Sequence, residues 1–137
     1  MGANDAVMEQ YRAAMESSDM GQLSQLLRSS STDDFVQEWP QSGERIVGRE
    51  ASIKLDAAYE GATGTRPKMT FRRMLGSGDV YVVEGTIDYG DGTPVSYVGI
   101  AEFRDGKVRK VTEYFANPFP APDWRAPYVE RMEPVGA

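Results

Sequence analysis

Residues 94–116 read PVSYVGIAEFRDGKVRKVTEYFA, and their period decides the fold. Apolar and polar side chains alternate on both sides of Asp105-Gly106, the pattern of two half-buried strands joined by a tight hairpin. Moving back along the chain, Val80–Tyr89 alternates too, and Gly90-Asp91-Gly92-Thr93 joins it to the strand Pro94–Arg104. Lys68–Leu75 precedes it across Gly76-Ser77-Gly78-Asp79. The last strand is Lys107–Phe115. A plain hairpin at 105–106 sets Gly99 opposite Thr112, whereas a one-residue bulge near the turn would set it opposite Glu113.

Before about residue 67 the period is helical. Val7, Met8, Tyr11, Ala14 and Met15 recur at spacings of three and four behind Asn4 or Asp5, either of which can cap the helix. Asp19 is the expected cap of a second, short helix carrying Leu23, Leu26 and Leu27. Ser29 to Ser31 and Thr32 read as a polar break, then Phe35, Val36 and Trp39 as a strand ended by Pro40 and Ser42-Gly43. Arg45-Ile46-Val47 is short and extended. Gly48 opens a third helix over roughly 49–60, with Ile53, Leu55, Ala57, Ala58 and Tyr59, stopped by Gly61 and Gly64. Helices first and an antiparallel meander afterwards is an α+β arrangement. The 137 residues suit one domain, 1–137, with a core of about 5–116 and a tail over 117–137. That tail is rich in proline and carries Phe119, Trp124 and Tyr128, which are costly to leave in water, so it is expected to pack over the domain or over a neighbour.

Composition narrows the function. The formal charge is −6 with no basic stripe, which argues against a nucleic-acid surface. No apolar run is long enough to span a membrane, and no charged, apolar leader pattern opens the chain, so the cytoplasm is the expected compartment. There is no Cys and no His. Thiol nucleophiles, thiolate metal sites and imidazole bases are excluded, so acid–base chemistry falls to Asp, Glu, Tyr, Lys, Arg or water. Asp91 and Asp105 are turn formers and receive no metal. No Lys-Ser/Thr follows Gly76-Ser77-Gly78, so that loop is no phosphate cradle, and no cofactor is expected.

Several stretches together resemble a known family: FVQEWPQSGERI over 35–46, Gly48-Arg49-Glu50, FRDGKV over 103–108 and Thr112-Glu113-Tyr114-Phe115. In order and spacing, over about 5–116, the chain resembles the SnoaL-like branch of the nuclear transport factor 2-like superfamily. The resemblance implies a cone in which three helices pack into a curved, mostly antiparallel sheet, with a pocket at the wide end. It also implies kinship with ketosteroid isomerase, limonene epoxide hydrolase, scytalone dehydratase, polyketide cyclases and non-catalytic binding or dimerisation domains.

By that resemblance Val111, Glu113 and Phe115 face the cavity, as do Tyr97, Gly99 and Ala101 on the strand before; a plain hairpin breaks that agreement, so the resemblance implies the one-residue bulge near the turn. Glu113 matches a carboxylate to which the polyketide cyclases assign acid–base work. A simple register at the next hairpin sets Glu84 opposite Gly99, so Glu84 is expected to share the cavity; pairing with Arg72 or Arg73 is the competing reading. Tyr11 resembles the first-helix tyrosine with which ketosteroid isomerase polarises an enolate oxygen. Trp39, Tyr59, Tyr97 and Phe115 would wall the hollow, with Gly99 and Val111 in its floor. The position matching that isomerase's general base is Trp39, and the position matching its second oxyanion-hole carboxyl is Gly99, so its double-bond migration by the same groups is not expected. Two classes stay open. One is a cofactor-independent enzyme (isomerase, cyclase, dehydratase or epoxide hydrolase type) acting on a small hydrophobic molecule. The other is a ligand-binding or dimerisation module. A homodimer is expected through the outer sheet face, with Tyr81, Val83, Ile87, Val98 and Ile100 as its apolar patch.

Overall fold

A computed structural model describes residues 2–17 and 20–133. Three helices, α1 (Ala3–Ser17), α2 (Met20–Ser30) and α3 (Arg49–Thr63), lie against one curved sheet. Its strands are β1 (Ser31–Trp39), β2 (Glu44–Val47), β3 (Lys68–Ser77), β4 (Val80–Asp88), β5 (Val95–Arg104) and β6 (Lys107–Ala116), in the order β2-β1-β6-β5-β4-β3. All neighbours are antiparallel except β1 and β6, which run parallel and bring the first strand beside the last. The sheet remains open.

The helices bury the stripes their periodicity gives them. Met8 and Ala14 of α1, Leu27 of α2 and Ile53 of α3 meet Phe35, Met69, Tyr97, Phe103 and Val108 of the sheet in one core. Neither Asn4 nor Asp5 caps α1, because the helix already begins at Ala3. Both instead fasten it to the β3–β4 hairpin: Asn4 Nδ2 donates to the Gly78 carbonyl at 2.8 Å, and the Tyr81 hydroxyl donates to Asp5. Asp19 lies outside the described residues. The expected polar break is absent: Ser29 and Ser30 complete α2, and Ser31, fully buried, starts β1 while its hydroxyl donates to the Leu27 carbonyl. Side-chain hydroxyls that bond backbone carbonyls can end a helix without a loop. The third helix runs past Gly61 to Thr63 and ends on Gly64, in the left-handed conformation at φ 74°.

The bulge beside the Asp105-Gly106 turn is present. Glu102 pairs with Lys110 and Phe103 with Val108, so Arg109 is the extra residue and Gly99 faces Glu113. The β4–β5 register differs from the simple one by a residue. Gly99 faces Val83, and Glu84 faces Val98. The loop between these strands fixes this: Asp88 accepts the backbone N–H groups of Gly90 and Gly92, Asp91 accepts that of Thr93, and the ladder closes on Ile87 opposite Val95. Tyr81, Val83 and Ile87 therefore point into the core, and of the expected outer patch only Val98 and Ile100 lie on the convex face. A second bulge, at Arg72 in β3, brings Arg72 and Arg73 side by side over Glu84.

From 117 to 133 the chain is irregular, apart from a short 3-10 turn over Asp123–Tyr128. Phe119, Trp124 and Tyr128 are 78%, 73% and 81% exposed, so these three side chains do not pack over the domain.

Candidate functional site

Alternation along β1 puts Phe35, Gln37 and Trp39 on its inner face, and the parallel register sets Gln37 beside Val111 and Glu38 beside Thr112 of β6. Gln37 and Trp39 thus flank the next inward side chain of β6, Glu113. Its carboxylate is 8% exposed. Oε1 accepts hydrogen bonds from Gln37 Nε2 at 2.5 Å and from Trp39 Nε1 at 2.9 Å, and Oε2 accepts one from the Tyr97 hydroxyl at 2.5 Å. A buried carboxylate is tolerated only when its oxygens are supplied with donors in this way.

Two small residues make that arrangement possible. Gly99 lies directly opposite Glu113, and a methyl group there would collide with the hydroxyl and ring of Tyr97. Without it, the Tyr97 ring leans over Gly99 and reaches the carboxylate. Ser52 of α3, fully buried, donates to Gln37 Oε1 at 3.2 Å. That bond turns the amide so that its nitrogen faces Glu113. Burial and the charge of Glu113 hold the Tyr97 hydroxyl well above its usual range.

One helical turn after Ser52, on the same face of α3, stands Asp56. Its carboxyl lines the hollow and accepts no hydrogen bond among the described residues. Burial, reinforced by the negative charge of Glu113, pushes it up to about 7. The site therefore holds two carboxyl groups in contrasting states: one tied to three donors, the other untethered and exchanging its proton near neutrality.

Around them the helices and the concave side of the sheet enclose a cavity of about 250 Å³. Its wall is aromatic and aliphatic. Trp39 and Phe115 meet edge-on with ring centres 6.4 Å apart, and Tyr97 and Phe115 meet at 5.5 Å. Tyr59, Gly99 and Val111 line it too, joined by Tyr89, whose hydroxyl burial pushes up to about 12. Tyr11 lines it as well, but its hydroxyl donates to the Leu26 carbonyl of α2 at 3.3 Å. No lysine or arginine lines the cavity among the described residues, and none of their acidic side chains form a cluster suited to a metal ion.

Glu84 is a correction. It lies on the convex face, 3.1 Å from Arg73 and 3.4 Å from Arg72, and has no part in the cavity. The one-residue difference in β4–β5 register puts it there. Asp56 and Gln37 were not singled out from the sequence, although a signal existed. Asp56 is three residues from both Ile53 and Tyr59, which read as inward, and Gln37 is two from Phe35 and from Trp39.

A family model described as "SnoaL-like domain" matches residues 8–111. The chain belongs to the SnoaL-like family. Among solved structures it is similar to an NTF-2 like protein of unknown function from Burkholderia xenovorans LB400, with 33% identity, 96% of each chain covered and a TM-score of 0.75. It is also similar to a "putative ketosteroid isomerase" from Kribbella flavida DSM 17836, with 23% identity, 96% of this chain and 91% of that one covered, and a TM-score of 0.81. A "putative SnoaL-like polyketide cyclase" from Jannaschia sp. CCS1 matches at 18% identity over 82% of this chain and 85% of that one, with a TM-score of 0.68. No curated protein matches the chain. As in those neighbours, the SnoaL-like fold here sets helices into a bent sheet; the site chemistry has to be argued from this chain's own residues.

The state of Asp56 has a consequence for stability. Its carboxyl binds a proton more tightly in the folded chain, at about 7, than the ordinary 3.8 of an unfolded one. Between those values the native state holds more protons, so stability falls as pH rises from about 4 to about 7 and then levels off. Asp56→Asn removes this penalty. Urea unfolding is expected to show the variant gaining on the parent with rising pH, by on the order of a few kcal/mol at pH 8 and little at pH 4. A difference that does not change with pH contradicts the assignment.

Proposed function

We propose that this SnoaL-like protein binds a small hydrophobic molecule in the cone cavity and performs cofactor-independent acid–base chemistry on it. The observation that carries this reading is the untethered Asp56 carboxyl, poised near 7 inside an apolar hollow beside a second, fully bonded carboxylate. A proton carrier works best when it exchanges near the operating pH. Asp56 would take a proton from the bound molecule or give one to it. Glu113 would hold its charge in place, keep Asp56 near neutrality and stabilise positive charge that develops on the ligand. The Tyr11 hydroxyl would polarise a ligand oxygen by exchanging its bond to the Leu26 carbonyl for one to that oxygen. Isomerisation, cyclisation and dehydration all fit such a pair, and the first two are in keeping with the names of neighbouring structures. Epoxide hydrolysis fits less well, since no arginine lines the cavity among the described residues. The cytoplasm is the location in this reading.

A second reading is supported by the saturation of Glu113. Three donors on its two oxygens suit a fixed structural anion in a module that binds a ligand, or only dimerises, without transforming anything.

One protein separates the two. The chain has two tryptophans, so Trp124→Phe leaves Trp39, in the cavity wall, as the only one. Small cyclic enones, ketones and tertiary alcohols are expected to change Trp39 fluorescence saturably. Asp56→Asn is expected to lower turnover of any reactive compound in that panel at least ~100-fold while binding changes only several-fold. Undiminished turnover in Asp56→Asn would sink the catalytic reading. Silence of Trp39 toward every compound would sink the ligand site.

The chain is also proposed to form a homodimer through its convex sheet face. There Leu75, Val80 and Tyr114 are 54%, 49% and 41% exposed beside half-buried Val82, Val98 and Ile100. Light scattering at micromolar concentration should give twice the 15.1 kDa chain mass; a strict monomer contradicts it.

A further inference from the structure

The cavity has an unbalanced polarity. Its wall contributes carboxyl groups from Asp56 and Glu113, and no cationic side chain among the described residues. Arg49, whose charge is felt at Tyr11, is turned away and bound to Asp33 and to the carbonyls of Arg28 and Ser31. Glu113 is supplied with hydrogen-bond donors but, among the described residues, with no countercharge. Asp56 offers acceptor oxygens to which none of the described residues donates. The remaining wall around them presents aromatic rings, from Trp39, Tyr59, Tyr89, Tyr97 and Phe115.

A ligand's charge is decided by such a wall. A carboxylate ligand would meet like charge in a poorly solvated space and find no partner. A neutral ketone or alcohol would be tolerated. An ammonium carries three donors and no acceptor, so it answers the free oxygens of Asp56, lies in the field of Glu113 and is attracted by the aromatic rings. We propose that the cavity selects hydrophobic amines in their protonated form, the ammonium seated at Asp56 near Glu113 and the hydrocarbon against the aromatic wall. This rests on the reading of the cavity as a ligand site and deepens it by naming the chemical class of the ligand.

A pH dependence follows. The cation favours the ionised form of Asp56, so amine affinity rises as pH goes from 6 to 8 and binding releases a proton. The titratable groups facing Asp56 are Glu113 of β6, Tyr11 of α1, Tyr59 of α3, Tyr89 just beyond β4 and Tyr97 of β5. Of these, Tyr11, Tyr89 and Tyr97 are shifted upward, away from this range.

Calorimetric titration of the full chain with 2-phenylethylamine, 2-phenylethanol and phenylacetate tests the proposal, since the three share a phenyl ring and are nearly equal in size. At pH 8 the amine is expected to bind at least ~10-fold more tightly than the alcohol, and phenylacetate not measurably. The advantage of the amine should shrink at pH 6. It should also fall several-fold in both Asp56→Asn and Glu113→Gln, with the alcohol still bound. If Glu113→Gln does not fold, Asp56→Asn alone decides the point. Equal affinity for amine and alcohol, tighter binding of phenylacetate, or an amine preference that survives Asp56→Asn overturns cation selection and leaves the ligand site standing. Binding of none of the three overturns both.

Discussion

Glu113 is a charge placed where water barely reaches, and most of the inner architecture can be read as what that placement demands. A carboxylate taken out of water without partners costs several kcal/mol or more, so donors have to come from elsewhere in the fold. They come from distant parts of the sequence: Gln37 and Trp39 on β1, and Tyr97 on β5. The parallel pairing of β1 with β6 brings the first two within reach, and the glycine at 99 lets the third lean across. The bulge at Arg109 puts Gly99 and Glu113 face to face in the first place. Remove any one of these and the carboxylate loses a donor that the fold supplies.

The consequences extend into the helical layer. Ser52 orients the Gln37 amide from α3, and one turn later the same helix face delivers Asp56. With Glu113 fixed as the acceptor of three hydrogen bonds, its charge falls on the untethered Asp56, whose burial already favours the protonated form. Contrasting carboxyl groups inside an aromatic wall give the hollow a defined chemistry: one group held by three donors and one left without any among the described residues. The same pair is what the proposed selection of a cationic ligand rests on.

Much of the layout was legible in the sequence because period and turn chemistry are local. The switch from helical spacing to alternation near residue 67 marks the α+β order, and the glycines at the joints mark the hairpins. The bulge at Arg109 was not legible from period alone; the family resemblance, by setting Gly99 and Glu113 on one face, is what called for it. Register across the longer β4–β5 loop was not legible. Val82 and Val83 are both apolar, so alternation there does not say which one faces inward, and the Asp88 and Asp91 turns decided it. That single residue moved Glu84 from the cavity to a surface pair with Arg72 and Arg73. Asp56 escaped notice because a charged residue on an exposed-looking helix reads as solvated, and only its neighbours at 53 and 59 say otherwise. Ser31 looked like part of a break, since nothing in a run of serines shows that a hydroxyl will bond the last turn of a helix.

The account stands most directly on the ionisation of Asp56. Carbon-13 NMR of the side-chain carboxyl carbons, assigned with Asp56→Asn, follows it through a pH titration. A midpoint near 7 in the parent, lowered in Glu113→Gln but still above the ordinary aspartate range because burial remains, is the result expected. An Asp56 that titrates near 3.8 with Glu113 in place would contradict it.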